Sequence, residues 1–217
     1  MDTAVALKKT MQVLDWCYDK SIDGFPPIPS ASELAENYLT KHHQNTESAI
    51  NDFIHWQHVK AGTSGFLTGV GGALTLPLTL VSIPADLTAV IYIQLRMIAV
   101  IAYLRNYDLH DDEVRTFAYV CLVGRAGIDM LSGAGIKVGE KVAVNVIKKI
   151  PAKVLTSINQ KVGGRIVTKF GQNGVVNLVK LVPLVGGAVG GTIDVGSNIV
   201  IAQTAKKVFV RLDNPNA

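Results

Sequence analysis

The sequence predicts an all-α domain, and three features carry that prediction. Apolar residues recur at helical spacing, helix-start signals stand ahead of several apolar runs, and no segment alternates apolar and polar residues between turn signals as a half-buried strand does. Short β-branched runs such as NIVIAQ are where a strand competes.

Leu7, Met11, Leu14 and Tyr18 fall at i, i+4, i+7 and i+11, with Lys8, Lys9, Asp15 and Asp19 mostly off that stripe. This is an amphipathic helix that should end near Gly24. After the loop FPPIPS, Ser30 stands three residues before Glu33, a capping box opening a helix through Leu34, Tyr38 and Leu39. A turn at HHQNT leads to a helix from about Glu47 to Lys60, with Ile50, Phe53 and Ile54 inward.

The next stretch, Gly62 to Ala85, has no charged residue, five glycines and two prolines. Pro84 is suited to the first turn of PADLTAVIYIQLRMIAVIAYLRNYD, a long apolar helix interrupted by Asp86, Gln94 and Arg96 and closing near Asn106. Asp111, Asp112 and Glu113 place negative charge at the start of another helix, where the helix dipole favours it. Glycines 124, 127, 133, 135 and 139 predict a kinked or loop-like passage. A basic amphipathic helix should follow through Ile136, Ala143, Ile147 and Ile150, with Pro151 starting one more. The C-terminal part returns to glycine and apolar residues in LVPLVGGAVGGTIDVGSNIVIAQTAKK, a faint repeat of the first glycine block. Each block leads through an aspartate, Asp86 or Asp194, into an apolar helix that contains a glutamine, Gln94 or Gln203.

The chain of 217 residues is long enough to bury a core without covalent staples, so one domain is the expectation. Residues 1–46 form an N-terminal helical extension and residues 47–217 the main helical unit, expected to pack as one. Apolar residues are 48% of the chain against 18% charged, with a mean hydropathy of +0.30, which implies that part of the surface meets something other than water. Cys17 and Cys121 are far apart and lack companions at metal spacing, so neither a disulfide framework nor a zinc module is implied and a reducing cytoplasm is expected. The N-terminus has neither the pattern of a secretory signal nor that of an anchor.

Charge is unevenly distributed: −3 over residues 1–60, −2 over 61–130, +8 over 131–180 and +1 over 181–217. In the basic window Lys137, Lys141, Lys148, Lys149, Lys153, Lys161, Arg165, Lys169 and Lys180 face one acid, Glu140. That asymmetry points to an anionic partner. The window has one arginine and one aromatic residue, too few for base stacking or base-edge readout, so nucleic acid is not expected and lipid headgroups fit better. A solvated lysine face on a surface helix has the same composition.

A phosphate loop is excluded, because GVGGALTL lacks the lysine and the serine or threonine that reach phosphate and magnesium, and Leu74 occupies the third glycine position of a dinucleotide fingerprint. Gly62, Gly65, Gly69 and Gly72 instead recur on one side of a helix, as Gly186, Gly187, Gly190 and Gly191 could, allowing two backbones to approach closely. Glycine costs about 1 kcal/mol per helical position, so such spacing implies helix packing, here two glycine-rich helical hairpins. Residues 61–85 have the length of a membrane span, but their prolines and glycines favour a buried or re-entrant hairpin. His55 and His58 could share a helix face as metal ligands, completed by Asp86 or Asp108. Ordinary polarity on the exposed flank of an amphipathic helix is the favoured account of them, because no carboxylate sits at the helical spacing that metal-carboxylate bundles use, and no serine or cysteine has a nucleophile's setting. No cofactor is expected.

The run SGFLTGVGGALTLPLTLVSIPADLTAVIYIQLRMIAVIAYLRNYDLHDDEVRTF, with IPAKVLTSINQKVGGRIVTKFGQNGVVNLVKLVPLVGGAVGGTIDVGSNIVIAQTAKKVF, resembles the bacterial EcsC protein family over roughly residues 50–210. Its most distinctive parts are the glycine hairpin with PADL, the NYDLHDDEVR turn and the LVPLVGGAVGG block. The resemblance implies membrane association beside an ABC transporter and matches Asp86, Gln94, Arg96, Asp108, Arg115 and Asp194 to polar family positions without assigning them chemistry.

The expectation is therefore an all-helical cytoplasmic protein with a few buried polar residues in an apolar centre. It binds an anionic membrane peripherally, or a membrane-protein partner, and supports a membrane system such as an ABC exporter, with a lipid or other hydrophobic molecule as a further ligand. The alternatives are a metal-dependent hydrolase built on His55, His58 and nearby acids, and a membrane-perturbing effector.

Overall fold

The computed structural model describes residues 3–61, 85–139, 149–170 and 195–211. Among them are eight helices and no strand, as the sequence predicts: α1 (Thr3–Asp23), α2 (Ala31–Lys41), α3 (Thr46–Ala61), α4 (Ala85–Leu104), α5 (Asp112–Leu122), α6 (Arg125–Gly133), α7 (Ala152–Phe170) and α8 (Val195–Val208). The two glycine-rich blocks, with Gly62, Gly65, Gly69, Gly72, Gly186, Gly187, Gly190 and Gly191, lie outside the described residues. So do Lys141, Lys148, Asp194 and the helix expected through Ala143 and Ile147.

The centre of the fold is α4. Every residue from Ile91 to Ala102 is buried, so the helix has no solvent face over that length, and a helix apolar all round must be enclosed by others. Those others are α1, α2, α3, α5 and α8. The inward stripe of α1 is as the spacing predicts, with Leu14 and Tyr18 fully buried, and α1 packs on α4 and α7. The residues preceding position 47 are thus part of the packing around α4.

Local signals account for the ends of the helices. The Ser30–Glu33 capping box forms in both directions: the Glu33 N–H donates to Ser30 Oγ (3.1 Å) and the Ser30 N–H to a Glu33 carboxylate oxygen (2.8 Å). Asp111 is the N-cap of α5 but makes no side-chain capping bond, so the first-turn acids Asp112 and Glu113 act there through the dipole. The glycine passage after residue 123 is kinked at Gly124 and loop-like at Gly135 (φ +78°) and Gly139 (φ +88°), as expected, with a helix between. A single residue, Gly124 at φ +60°, turns the chain, and α6 follows at once. Further along, Gly127 lets α6 sit against α5, since a Cβ there would overlap the Val120 carbonyl oxygen. Ile136, expected in a helix, lies beyond α6 and packs against the core. α7 begins directly after Pro151.

Ion pairs tie the α2–α3 hairpin and dock it. Lys41 Nζ and His42 Nε2 lie 2.7 and 2.9 Å from one Asp52 oxygen, joining α2 to α3. Arg105, just after α4, and Lys206 on α8 reach Glu47 at 2.6 and 3.6 Å, and Lys206 donates to Asn51 at 2.9 Å. Tyr107 stacks edge-on against Phe209 at 5.0 Å and donates to the Val210 carbonyl at 3.0 Å, closing the same end of the bundle.

Two outcomes follow from this packing. Gly127→Ala should cost about 3 kcal/mol, because backbone rather than a flexible side chain blocks the new methyl. Gly163→Ala, whose methyl would meet the flexible ends of Leu7 and Met11, should cost less, and denaturant unfolding of the two variants compares them. Hydrogen bonds from Lys41 and His42 hold the Asp52 carboxyl below the usual carboxylate range. Its contribution to stability is therefore present above the unfolded-state value and lost as pH falls through the lowered folded value. Carboxyl NMR should give an Asp52 midpoint below that of a free aspartate, and Asp52→Asn should flatten the acid limb of the stability profile.

Candidate functional site

α7 contains no Asp or Glu. Leu155, Ile158, Val162 and Ile166 form its buried stripe, spaced at three and four residues, which turns Lys153, Lys161 and Arg165 outward on one arc. All three are exposed, as is Lys149 just ahead of the helix, and none of the four has an ion pair among the described residues. Acids elsewhere are engaged: Asp52 by Lys41 and His42, Glu47 by Arg105 and Lys206, and Asp19 by Arg115. Among the described residues, the arc therefore projects positive charge that no ion pair offsets. Lys137 is also exposed, at the end of the loop after α6, while the side chain of Lys169 lies outside the described residues.

The buried polar residues foreseen from the sequence separate into different settings. Gln94 is buried and donates to Asn198 Oδ1 at 3.3 Å, an amide contact between α4 and α8. Arg96 is buried one turn beyond Tyr92 and donates to its hydroxyl at 2.8 Å. Arg115 is half-buried and belongs to a cluster joining α5 to α1. Its guanidinium lies 2.8 Å from Asp19 and 3.9 Å from Asp15 and 5.0 Å from the centre of the Tyr18 ring. Tyr119 donates to Asp15 at 2.6 Å and meets Tyr18 edge-on at 5.9 Å, and Tyr18 donates to the Leu109 carbonyl at 2.8 Å. Burial, reinforced by Asp15, pushes the Tyr119 hydroxyl far above its usual range, so it serves as a permanent donor.

Asp108 corrects the expectation. It is exposed, in the turn after α4, where its carboxylate accepts the His110 N–H at 3.0 Å, so local turn bonding rather than burial explains it. Asp86 lies in the first turn of α4, with its side chain outside the described residues.

The histidine–acid constellation is not assembled among the described residues. His55 is exposed on α3, whereas Asp108 lies beyond Arg105, which is paired with Glu47 two turns away from His55 along α3. The His58 side chain lies outside the described residues, and no group of three His, Cys, Asp or Glu that could hold a metal occurs among those described. Cys17 and Cys121 are buried, which pushes both thiols far up and leaves them unreactive packing residues. An open cleft of about 850 Å³ lies between α2 and the turn after α4, with Glu36, Tyr103, Tyr107, Asp108, His110 and Arg211 among its mostly polar walls. Tyr103 donates to Glu36 across it at 2.9 Å.

Sequence reasoning missed the partners: Asp15, Asp19 and Tyr119 for Arg115, and Asn198 for Gln94. A signal existed for the first set. Asp15 and Asp19 are four residues apart on α1, Arg115 and Tyr119 four apart on α5, and each pair shares a helix face.

No helix among the described residues is long and apolar enough to cross a membrane. Among the described residues the fold is thus a helical bundle with an apolar centre and one basic helix, α7, that contains no acid. The family model described as "EcsC protein family" matches residues 29–212, and the chain belongs to that family. The match begins ahead of α2, leaving α1 outside it. No curated protein and no solved structure matches the chain.

The α1–α5 cluster has the properties of a structural clasp. Tyr119→Phe should lower stability by about 1 kcal/mol, since Asp15 keeps partial access to water once the hydrogen bond is gone. Thermal unfolding should show a shift of about 2–4 °C.

Proposed function

We propose that this protein acts by binding rather than catalysis. It associates peripherally with an anionic membrane and supports or regulates a membrane system such as an ABC exporter. The observation that carries the reading is the α7 arc, with Lys153, Lys161 and Arg165 exposed on an acid-free helix and without ion partners among the described residues. Lysines on a structural surface are ordinarily interspersed with acids, as they are on α1, where Asp15, Asp19 and Asp23 accompany Lys8, Lys9 and Lys20. An acid-free arc gains about 1 kcal/mol per basic residue beside an anionic leaflet and nothing comparable in water. Membership of the EcsC family agrees with this reading through the membrane setting that the family resemblance implies.

Vesicle flotation tests it. The protein should rise with phosphatidylglycerol-containing vesicles at low salt, stay behind with phosphatidylcholine alone, and be released at high salt as the charges are screened. Lys153→Gln, Lys161→Gln and Arg165→Gln together should weaken binding about 100-fold, while Lys8→Gln on α1 should leave it unchanged. Absence of binding to anionic vesicles at low salt would rule the reading out. Retention through high salt and alkaline carbonate would instead favour an inserted, membrane-perturbing protein.

A further inference from the structure

The open cleft of about 850 Å³ between α2 and the turn after α4 takes no part in the membrane reading. Asn106, Tyr107, Asp108, Leu109 and His110 line it, and these are the first half of the NYDLHDDEVR turn. Two left-handed residues shape its rim: Asn106 (φ 68°) closes the end of α4, and Gln44 (φ 65°) turns the link from α2 to α3. From α2 come Ser32, Glu36 and Leu39. The two carboxylates in these walls are treated unlike Asp52, Glu47 and Asp19, which cations hold. Among the described residues neither Glu36 nor Asp108 has an ion pair, and Arg211, the cation in the walls, reaches neither. Each is fixed instead by a neutral donor: the Tyr103 hydroxyl lies 2.9 Å from Glu36 Oε1, and the His110 N–H donates to Asp108 Oδ1 at 3.0 Å. One oxygen of each is thus held in place, and the other is left to accept. The residues next in sequence to the walls add Asp23, Glu33, Glu47 and Asp111 against Arg105, and residues 212–217 add Asp213 and no base, so the balance stays negative when they are counted. The last carbonyls of α4, which ends at Leu104 in the same walls, contribute partial charge of the same sign.

We propose that this cleft binds a small aliphatic di- or polyamine, with its ammonium groups donating to Glu36 and Asp108 and its methylene stem lying along the Tyr103 and Tyr107 rings. An ammonium carries three N–H donors and no acceptor, which matches two oriented carboxylates that each keep an oxygen to fill. Tyrosine rings accommodate both an apolar stem and a cation. A metal ion fits less well, since no group of three His, Cys, Asp or Glu that could hold one occurs among the described residues. The volume falls within the roughly 300–1,000 Å³ of small-molecule sites and exceeds what a lone ammonium ion fills. The site is independent of the α7 arc: it takes a cation rather than an anion.

Calorimetric titration of the full chain with spermidine, at low salt and neutral pH and without vesicles, should give saturable binding at one site. The ring resonances of Tyr103 and Tyr107 should move in NMR spectra over the same titration. Glu36→Gln and Asp108→Asn keep the acceptor used by Tyr103 or the His110 N–H, so both should fold, as unfolding curves will show, while each weakens binding about tenfold. Asp129→Asn, which changes an exposed acid on α6 outside the cleft, should leave binding unchanged. Magnesium at equal concentration should not displace spermidine, because it needs a fixed oxygen cage that the cleft lacks. Absence of saturable binding to the unaltered protein would overturn the proposal. Equal losses in all three variants, or displacement by equimolar magnesium, would assign the effect to general counterion attraction and overturn it as well. Failure of the protein to float with anionic vesicles would remove the membrane reading and leave the cleft standing.

Discussion

The burial of α4 on all sides is the constraint on which the rest of the structure depends. Twelve consecutive residues, Ile91 to Ala102, have no solvent face, and such a helix is stable in water only if other helices remove its whole circumference from solvent. α1, α2, α3, α5 and α8 do so, drawn from both ends of the sequence. This explains why α1, ahead of the family match, is part of the bundle: without it one side of α4 would be bare.

Enclosing α4 also encloses its polar residues, and the fold gives each a partner. Gln94 meets an amide on α8 and Arg96 a tyrosine hydroxyl on its own helix, offsetting part of the cost of removing these groups from water. At the α1–α5 contact the charges sit nearer the surface, where Arg115 is shared between two aspartates and a tyrosine ring. These contacts set which helix faces which, since apolar packing tolerates rotations that a hydrogen bond does not.

The outside of the molecule shows the opposite treatment of charge. Around α2 and α3, lysine, histidine and arginine side chains find carboxylates, whereas on α7 the cations have none among the described residues. Near neutrality, paired charge stabilises the fold and unpaired like charge slightly opposes it. A surface that concentrates the second kind is what the membrane-binding proposal rests on.

Much of this was legible in the sequence because it is local. The period of Leu7, Met11, Leu14 and Tyr18 set the inward face of α1, Ser30 and Glu33 set the start of α2, and the absence of acids in α7 follows from composition. Other features depended on contacts between residues far apart in the chain. Asp108 has the same chemistry in sequence as an aspartate that could be buried, and only the turn after α4 shows it to be exposed. Likewise the sequence marked Gly124 and Gly127 only as part of a kinked or loop-like passage, and the packing of α6 against α5 showed one making the turn and the other the close approach. The sequence by itself determined that the chain is helical, where several helices start, and which segment is basic, because propensity, capping and charge act over a few residues. Tertiary structure alone decided which helix became the centre, which polar groups found partners, and which apolar side chains remained exposed, because burial depends on what the whole chain brings around each position.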